Sequence, residues 1–102
     1  MKKLLSIKKD LNKNVFESKA ALFKCIGDAT CLKILHVLSK EKEVCVTDIS
    51  DAMSVSISAV SHQLFKLKAM GIVESKREGQ TICYSIAKAK KAELVKKILL
   101  TN

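Results

Sequence analysis

Four cysteines are the side chains in this sequence with the widest chemical range, and their spacing restricts what they can do. They are Cys25, Cys31, Cys45 and Cys83. A thiolate is both a nucleophile and a ligand for soft metal ions, so each cysteine is a candidate sensor of metals or oxidants. No two of them have the C-x₂-C spacing of a structural metal site, and their spacing gives no disulfide framework. We therefore predict free thiols, and for each one a packing role as a small apolar side chain is favoured over a ligand role.

The local sequence around Cys31 favours a reactive thiol. Asp28 is of a residue type that caps helices, and a helix that starts there places Cys31 in its first turn. The positive end of the helix dipole stabilises a thiolate at that position. Cys25, six residues upstream, is predicted to lie beside the core and is a third candidate if the chain senses anything through sulfur.

A polar and basic face recurs at helical spacing in a second stretch of the chain. Ser58, His62 and Lys66 follow one another at single-turn intervals, and Ser56 can cap the helix that carries them. The opposite face of this helix is apolar and consists of Ile57, Val60, Leu64 and Leu67. A solvated surface helix would also show such a face, so its function depends on the elements around it.

Length and composition indicate one folded domain, residues 1–102, with an anionic partner. The chain is 48% hydrophobic, with no proline and three glycines, so global disorder and low-complexity structure are excluded. Its formal net charge of +9 favours nucleic acid as the partner. No stretch approaches the roughly 20 apolar residues that span a bilayer, and there is no secretory segment, so we expect a cytoplasmic protein without a membrane partner.

The periodicity of the apolar residues predicts a mainly α-helical fold with a small β-hairpin. The basic residues 1–10 are predicted to be frayed or only loosely helical. Helices are expected at 11–26, 28–39, 47–53, 56–70 and 88–101, and strands at 72–77 and 81–86. Thr47 is the predicted cap of the third helix. The third and fourth helices form a helix-turn-helix, and the hairpin is the wing of a winged helix-turn-helix domain in the order α-α-α-α-β-β-α.

Apolar stripes on the first and last helices predict that the protein is a homodimer. One small core cannot cover both stripes, and pairing them across a two-fold axis would bury them. The residues predicted at the dimer interface are Val15, Phe16, Leu22, Leu94, Val95, Ile98 and Leu99.

Four segments of the chain resemble, in the right order, the motifs of one family. They are GDATCLKIL at residues 27–35, EVCVTDI at 43–49, SISAVSHQL at 56–64, and REGQ at 77–80 followed by YSI at 84–86. On these segments the chain resembles the ArsR/SmtB family of dimeric winged-helix repressors, which sense metals or other stress signals. The resemblance implies dimer contacts through the terminal helices, recognition helices in successive major grooves, and wings on the flanking DNA backbone.

The resemblance and the polar face together predict a sequence-specific transcriptional repressor that binds double-stranded DNA. Basic side chains are expected to contact phosphates, and polar side chains of the fourth helix to contact base edges. The residues expected nearest the bases are Ser58, Ala59, His62 and Gln63. The complete predicted DNA-binding set is Ser56, Ser58, Ala59, Ser61, His62, Gln63, Lys66, Lys68, Lys76, Arg77 and Gln80.

The sequence departs from the family at the positions that the resemblance assigns to metals. Cys45 stands in the place of one thiolate ligand, but Thr47 replaces the second, and a hydroxyl is a poor ligand for soft ions. The run AKAKK at residues 87–91 replaces the carboxylate–imidazole site of the last helix, so zinc is not expected there. The sequence assigns no definite cofactor. A soft metal ion, a metalloid or an oxidant acting at Cys45, Cys31 and Cys25 is the candidate effector.

Two alternatives stay open on the sequence alone. An architectural or non-specific DNA-binding protein without an effector response is compatible with the positive charge. A repressor whose metal site has decayed would bind DNA constitutively. An enzyme is not supported, because the sequence has no carboxylate pair, nucleophile–base set or phosphate-binding glycine loop.

Overall fold

The structure, a computed structural model, describes residues 2–12, 14–89, 92–93 and 95–97. Its elements are α1 (Lys2–Leu11), α2 (Val15–Ile26), α3 (Ala29–Lys40), β1 (Val44–Cys45), α4 (Val46–Met53), α5 (Ile57–Ala69), β2 (Val73–Glu78) and β3 (Thr81–Ile86). Residues 92–93 and 95–97 are helical and belong to the last predicted helix. The mainly helical class, the α4–α5 pair and the β2–β3 hairpin confirm the predicted fold. The separate helix α1 is an addition to the predicted order, and the short strand β1 lies within residues 44–46, which the sequence predicts to be extended.

The core consists of aliphatic side chains from α3, α4 and α5, closed on one side by the hairpin. Leu35 of α3, Ile49 of α4 and Leu64 of α5 have no exposed surface. Ile72, just before β2, and Val95 are buried in the same cluster. Each such side chain stabilises the fold by about 1.5–3 kcal/mol when it is fully buried. This shared core fixes the position of α5 relative to the hairpin.

Two of the three predicted helix caps are present. The backbone N–H of Thr30 donates to Asp28 Oδ1 at 2.8 Å and caps α3. The N–H of Ala59 donates to Ser56 Oγ at 3.1 Å and caps α5. The prediction for Thr47 is wrong, because α4 begins at Val46, directly after strand β1, and no side chain caps it.

The N-terminal region differs from the prediction of a loosely helical tail and one long helix. Residues 2–11 form the regular helix α1, and α2 starts anew at Val15. The lysines and leucines of α1 are good helix formers, which favours a helix here. Its apolar side chains are largely exposed, for example Leu4 at 65% and Leu11 at 61%. The molecule is accordingly elongated, with extents of 58 × 29 × 23 Å.

A three-stranded antiparallel sheet in the order β1-β3-β2 ties the hairpin to the helices. Strand β1 has two residues, and it pairs Cys45 with Cys83 of β3. Because α4 begins at Val46, the next residue along the chain, this pairing holds the start of α4 against the hairpin.

The turn between α4 and α5 spans residues 54–56. Ser54 adopts a left-handed conformation, with φ at 55°, and this ends α4. The hydroxyl of Ser50 donates to the carbonyl of Val55 and closes the turn. At the tip of the hairpin Gly79 has φ at 64°, a conformation that glycine adopts without steric cost. The helix-turn-helix and the hairpin are therefore both held by local contacts.

Candidate nucleic-acid interface

Helix α5 turns one face to the core and the other to solvent. Val60, Leu64 and Leu67 are completely buried, at the three- and four-residue steps of a helical stripe. The prediction that Ile57 belongs to this stripe is wrong, since 49% of its surface is exposed. Ile57 is the first residue of α5, and the helix reaches the core only one turn later, at Val60.

The exposed face of α5 carries most of the polar residues predicted for it. Ser58, Ala59, His62 and Lys66 are all exposed. Phe65 lies on the same face with 72% of its surface exposed. The sequence-based prediction omitted Phe65, although the 100° helical period places it next to Ser58. An exposed aromatic ring of this kind can make apolar contact with a thymine methyl group in the major groove.

Two other predicted contact residues of this region are engaged within the chain, and a third is half-buried. The side-chain amide of Gln63 donates to Asp28 Oδ2 at 3.0 Å, so it is directed to the start of α3. The hydroxyl of Ser56 caps α5 through the N–H of Ala59. Ser61 is half-buried. The freely accessible part of α5 is therefore narrower than the predicted set.

The wing, which consists of β2, β3 and the Gly79–Gln80 turn, presents polar side chains to solvent. Lys76, Arg77 and Gln80 are exposed, as their predicted role requires. Arg77 Nε donates to the Gly79 carbonyl at 3.3 Å, which holds the guanidinium near the tip of the wing. A guanidinium there is suited to a phosphate of a bound duplex.

Two lysines predicted to contact phosphates have partners on β2. Lys68 Nζ donates to Ser75 Oγ at 2.6 Å and joins the end of α5 to the wing. Lys76 Nζ lies 3.9 Å from Glu78 Oε1 in an exposed ion pair. Exposed pairs of this kind contribute only about 0–1 kcal/mol. A DNA phosphate can therefore replace the partner of Lys76 at little cost.

Cys31 and Cys25 form one pair of sulfur atoms. Their Sγ atoms are 3.4 Å apart, with Cys25 half-buried and Cys31 fully buried. Burial, the hydrogen bond to Cys25 and the negative charge of Asp28 raise the pKa of Cys31 to about 12. The prediction of an acidified Cys31 thiol is thus wrong. The loss of hydration outweighs the helix dipole at this position.

Cys45 and Cys83 form a second pair, which contradicts the prediction of four free thiols. They face each other across β1 and β3 and are joined as a disulfide. The two residues are 38 positions apart in sequence, so spacing alone could not reveal the pair. Cys83 is buried and Cys45 half-buried. The four cysteines thus form two separate pairs, the Cys45–Cys83 disulfide and the Cys25–Cys31 contact.

Glu78 of the wing lies beside the Cys45–Cys83 pair. Its Oε2 is 3.7 Å from Cys83 Sγ. The Glu43 carboxyl makes a hydrogen bond with that of Glu78, and this bond raises the pKa of Glu43 above its usual value. Loss of hydration and repulsion by Glu78 act in the same direction, and the Lys76 charge opposes them. Two carboxyl groups and two sulfurs thus meet in the wing near the end of β2.

The residues predicted for a dimer contact fall into three groups. Val15 and Phe16 on α2 are 44% and 46% exposed. Leu22 and Val95 pack into the core of the single chain, where they are 8% and 2% exposed. The remaining three, Leu94, Ile98 and Leu99, lie outside the described residues.

Comparison with known proteins identifies the family of the chain. The model of the bacterial regulatory protein family arsR matches residues 28–75, from the α3 cap to β2. A cadmium resistance transcriptional regulatory protein, a CadC homolog from Staphylococcus aureus, is 39% identical over 93 residues, which cover 91% of this chain and 77% of that protein. The chain belongs to the arsR family. It is therefore a DNA-binding transcriptional regulator and not an enzyme.

Other relatives of this arsR-family chain agree in sequence and fold. The CadC cadmium resistance regulator of Listeria innocua is 38% identical over 72% of this chain, and the chain spans about three fifths (61%) of its length. A homodimeric winged helix-turn-helix DNA-binding domain, fragment 1–100 of a Mycobacterium bovis protein, superposes with a TM-score of 0.72 at 27% identity. That match covers 83% of this chain and 77% of the Mycobacterium chain. The winged helix-turn-helix fold predicted from the sequence is confirmed.

None of the helices within the described residues is long and apolar enough to cross a bilayer.

Proposed function

We propose that this arsR-family chain is a homodimeric, sequence-specific repressor that binds duplex DNA through α5 and the wing and is released by a thiol-directed effector. The observation that carries the proposal is that α5 has one face buried in the core and one face exposed to solvent. Val60, Leu64 and Leu67 are fixed in the core, while Ser58 and His62 are exposed on the opposite face. A helix anchored in this way can enter the major groove without losing its packing.

Direct contact with bases comes from the exposed face of α5. A hydroxyl such as that of Ser58 and an imidazole such as that of His62 can hydrogen-bond base edges, and Phe65 can contact a thymine methyl. Lys66, Lys76 and Arg77 neutralise phosphates and release counterions. The net charge of +9 supports this electrostatic part of binding.

Dimer formation is supported by the exposed apolar side chains of α1 and α2. Phe16 and Phe23, two turns apart on α2, are 46% and 61% exposed, and Leu4 and Leu5 on α1 are exposed by more than 60%. Apolar surface of this extent is typical of an interface. The Mycobacterium bovis domain of the same fold is described as homodimeric. A two-fold dimer would present its two α5 helices to half-sites about 34–36 Å apart.

The effector is proposed to be a soft metal ion, a metalloid or a thiol-reactive compound, and the site of action the cytoplasm. Two relatives are named as cadmium resistance regulators. This chain brings its four cysteines together as two pairs, and sulfur is the ligand that soft ions prefer. The competing possibility is an architectural DNA-binding protein with no effector response.

The test is a DNA-shift titration of the wild-type protein on the DNA upstream of its own coding region, against a shuffled duplex of equal length and composition. Both titrations use the same salt concentration, because non-specific binding depends steeply on salt. A repressor should bind its upstream DNA at least about a thousandfold more tightly than the shuffled DNA. Equal affinity for the two duplexes would support the architectural alternative. Parallel titrations with Cd(II), As(III) and peroxide test release.

A further inference from the structure

We propose that Cys45 and Cys83, when reduced, form with Glu78 a binding site for a soft divalent cation in the wing, near the end of β2. Its regulatory consequence, release of DNA, rests on the proposed function; the binding site does not. Three elements supply the ligands: β1 gives Cys45, β3 gives Cys83, and β2 gives Glu78.

The three side chains are held together by the register of the sheet. Cys45 is directly opposite Cys83, and Lys76 is opposite Cys83 on the other side. Directly opposed residues share a face of the sheet, as do alternate residues of one strand, so Glu78 projects on the same side as Lys76 and both cysteines. Their ligand atoms lie within 4.8 Å of one another. Within the described part of the chain, this is the one cluster of three such groups.

The chemistry of the set fits a soft or borderline cation that accepts four ligands. Two thiolates and one carboxylate occupy three positions, and water can take the fourth. In the oxidised pair each sulfur is bonded to the other, and the two thiolate ligands are lost. A dithiol reductant converts the pair into two thiols and is itself oxidised to a disulfide. Cation binding to the reduced pair then releases two protons.

The charges around the cluster favour a cation more than the net charge of the chain suggests. Glu78 places a carboxylate beside the two sulfurs. The ammonium of Lys76, 3.9 Å from Glu78, now balances part of its charge. A bound cation would take over Glu78 and displace Lys76. Freeing Lys76, one of the proposed phosphate contacts, would by itself favour DNA binding, so release of DNA has to come from a change in the angle between the wing and α4.

The cluster also connects the two parts that contact DNA. Cys45 immediately precedes α4, the first helix of the helix-turn-helix. Cys83 lies in the wing, and only the two-residue strand β1 otherwise ties these parts together at this point. A cation bridging Cys45, Cys83 and Glu78 would fix the angle between them. We expect it to lower affinity for the operator by about 5- to 150-fold, the usual range of such coupling.

Cation binding is tested with reduced, reductant-free protein under anaerobic conditions, titrated with Cd(II) alone. The readouts are calorimetry and the ultraviolet absorbance of thiolate-to-metal charge transfer. We expect one Cd(II) per protomer, and no charge-transfer band from this site in the oxidised protein. Cys83→Ser and Glu78→Gln should each weaken binding by at least about tenfold. Glu78 is exposed, so its variant tests the site even if Cys83→Ser fails to fold.

Matched controls separate this site from the other cysteine pair. Cys25→Ser changes the second sulfur pair, and Glu74→Gln changes an exposed carboxylate on the same strand; both should bind Cd(II) like the wild type. Loss of Cd(II) binding in Cys25→Ser, with full binding in Cys83→Ser or Glu78→Gln, would overturn the proposal. So would equal binding by the oxidised and reduced proteins.

The regulatory part is read out on the upstream DNA. Cd(II) should release the wild type and leave Glu78→Gln bound. If Cd(II) binds as assigned but the protein has no preferred DNA, the site stands and the proposed function fails. If the wild type binds its operator and Cd(II) occupies the site without releasing it, the regulatory role is overturned. Release of Glu78→Gln at wild-type Cd(II) concentrations would have the same meaning.

Discussion

At the scale of single residues, Asp28 links the start of α3 to α5. One carboxylate oxygen accepts the N–H of Thr30 at 2.8 Å, and the other accepts the side-chain amide of Gln63 at 3.0 Å. The first bond caps α3 and the second ties α5 to it. The cap could be predicted from residue type and position. The contact with Gln63 could not, because the two residues are 35 positions apart and only the packing of α3 against α5 brings them together.

Replacing Asp28 tests this double role. Asp28→Ala should lower the free energy of unfolding by about 1–3 kcal/mol, because a helix cap and a half-buried hydrogen bond are lost together. Asp28→Asn keeps one oxygen for the Thr30 N–H, and its side-chain amide can donate to Gln63 Oε1 once the Gln63 amide turns over, so it should stay within about 0.5 kcal/mol of the wild type. Urea denaturation measures both changes. Equal destabilisation by Asn and Ala would contradict the hydrogen-bond account.

The Cys31 thiol is predicted to be inert in the folded protein. With its pKa raised to about 12 from the ordinary 9.0, its thiolate fraction at pH 8 falls about a thousandfold. Iodoacetamide followed by peptide mass mapping should therefore label Cys31 only after denaturation. Because the unfolded chain ionises this thiol more readily, its contribution to stability falls as pH rises from about 9 towards 12. Rapid labelling of Cys31 in native protein at pH 8 would contradict this.

At the scale of elements, α5 shows which buried side chains helical periodicity can predict and which it cannot. The three- and four-residue steps identified the buried Val60, Leu64 and Leu67, since these side chains all fall on one side of a helix. The same steps assigned Ile57 wrongly, because periodicity carries no information on where along a helix its packing begins. The disulfide partner of Cys45 escaped prediction for a related reason. Strand β1 has two residues, too few for any periodic pattern.

Two substitutions within α5 test where along the helix the packing into the core begins. Leu64→Ala removes a fully buried side chain and should lower the free energy of unfolding by about 2–5 kcal/mol. Ile57→Ala removes a half-exposed side chain of similar size and should cost less than about 1.5 kcal/mol. Urea denaturation of the two variants gives both values. Similar losses for the two would place Ile57 in the core after all.

At the scale of the whole molecule, the elongated shape and the exposed apolar side chains of the helices support an interface with a second copy of the chain. The maximum extent of 58 Å is twice the next, 29 Å. Helix α1 leaves Leu4, Leu5 and Leu11 more than 60% exposed, and α2 does the same with Phe23. The helical spacing of the apolar residues in the first and last helices predicted apolar surfaces on both. It also assigned Leu22 and Val95 to the interface, although both are used by the protomer's own core.

The dimer is tested at the exposed phenylalanines of α2. Phe16→Asp combined with Phe23→Asp should give folded monomers, because neither ring is needed to fill the core and a buried carboxylate at the interface is unfavourable. Phe65→Asp changes a still more exposed ring on α5 and should leave the dimer intact. Sedimentation velocity distinguishes the two states. A Phe16–Phe23 double variant that sediments as a dimer would exclude this face of α2 from the interface.

The central claim is that the exposed face of α5 recognises a DNA sequence, and the specificity ratio of one double variant tests it most directly. Ser58→Ala combined with His62→Ala is titrated against the upstream operator and against shuffled DNA at one salt concentration. The controls are Ser18→Ala with His36→Ala, exposed residues on other helices, and Lys76→Ala with Arg77→Ala in the wing. We predict that the α5 variant loses about 5- to 150-fold per lost base contact on the operator and little on shuffled DNA. The wing variant should lose affinity for both duplexes alike. An α5 variant with an unchanged ratio of operator to shuffled affinity would contradict the account.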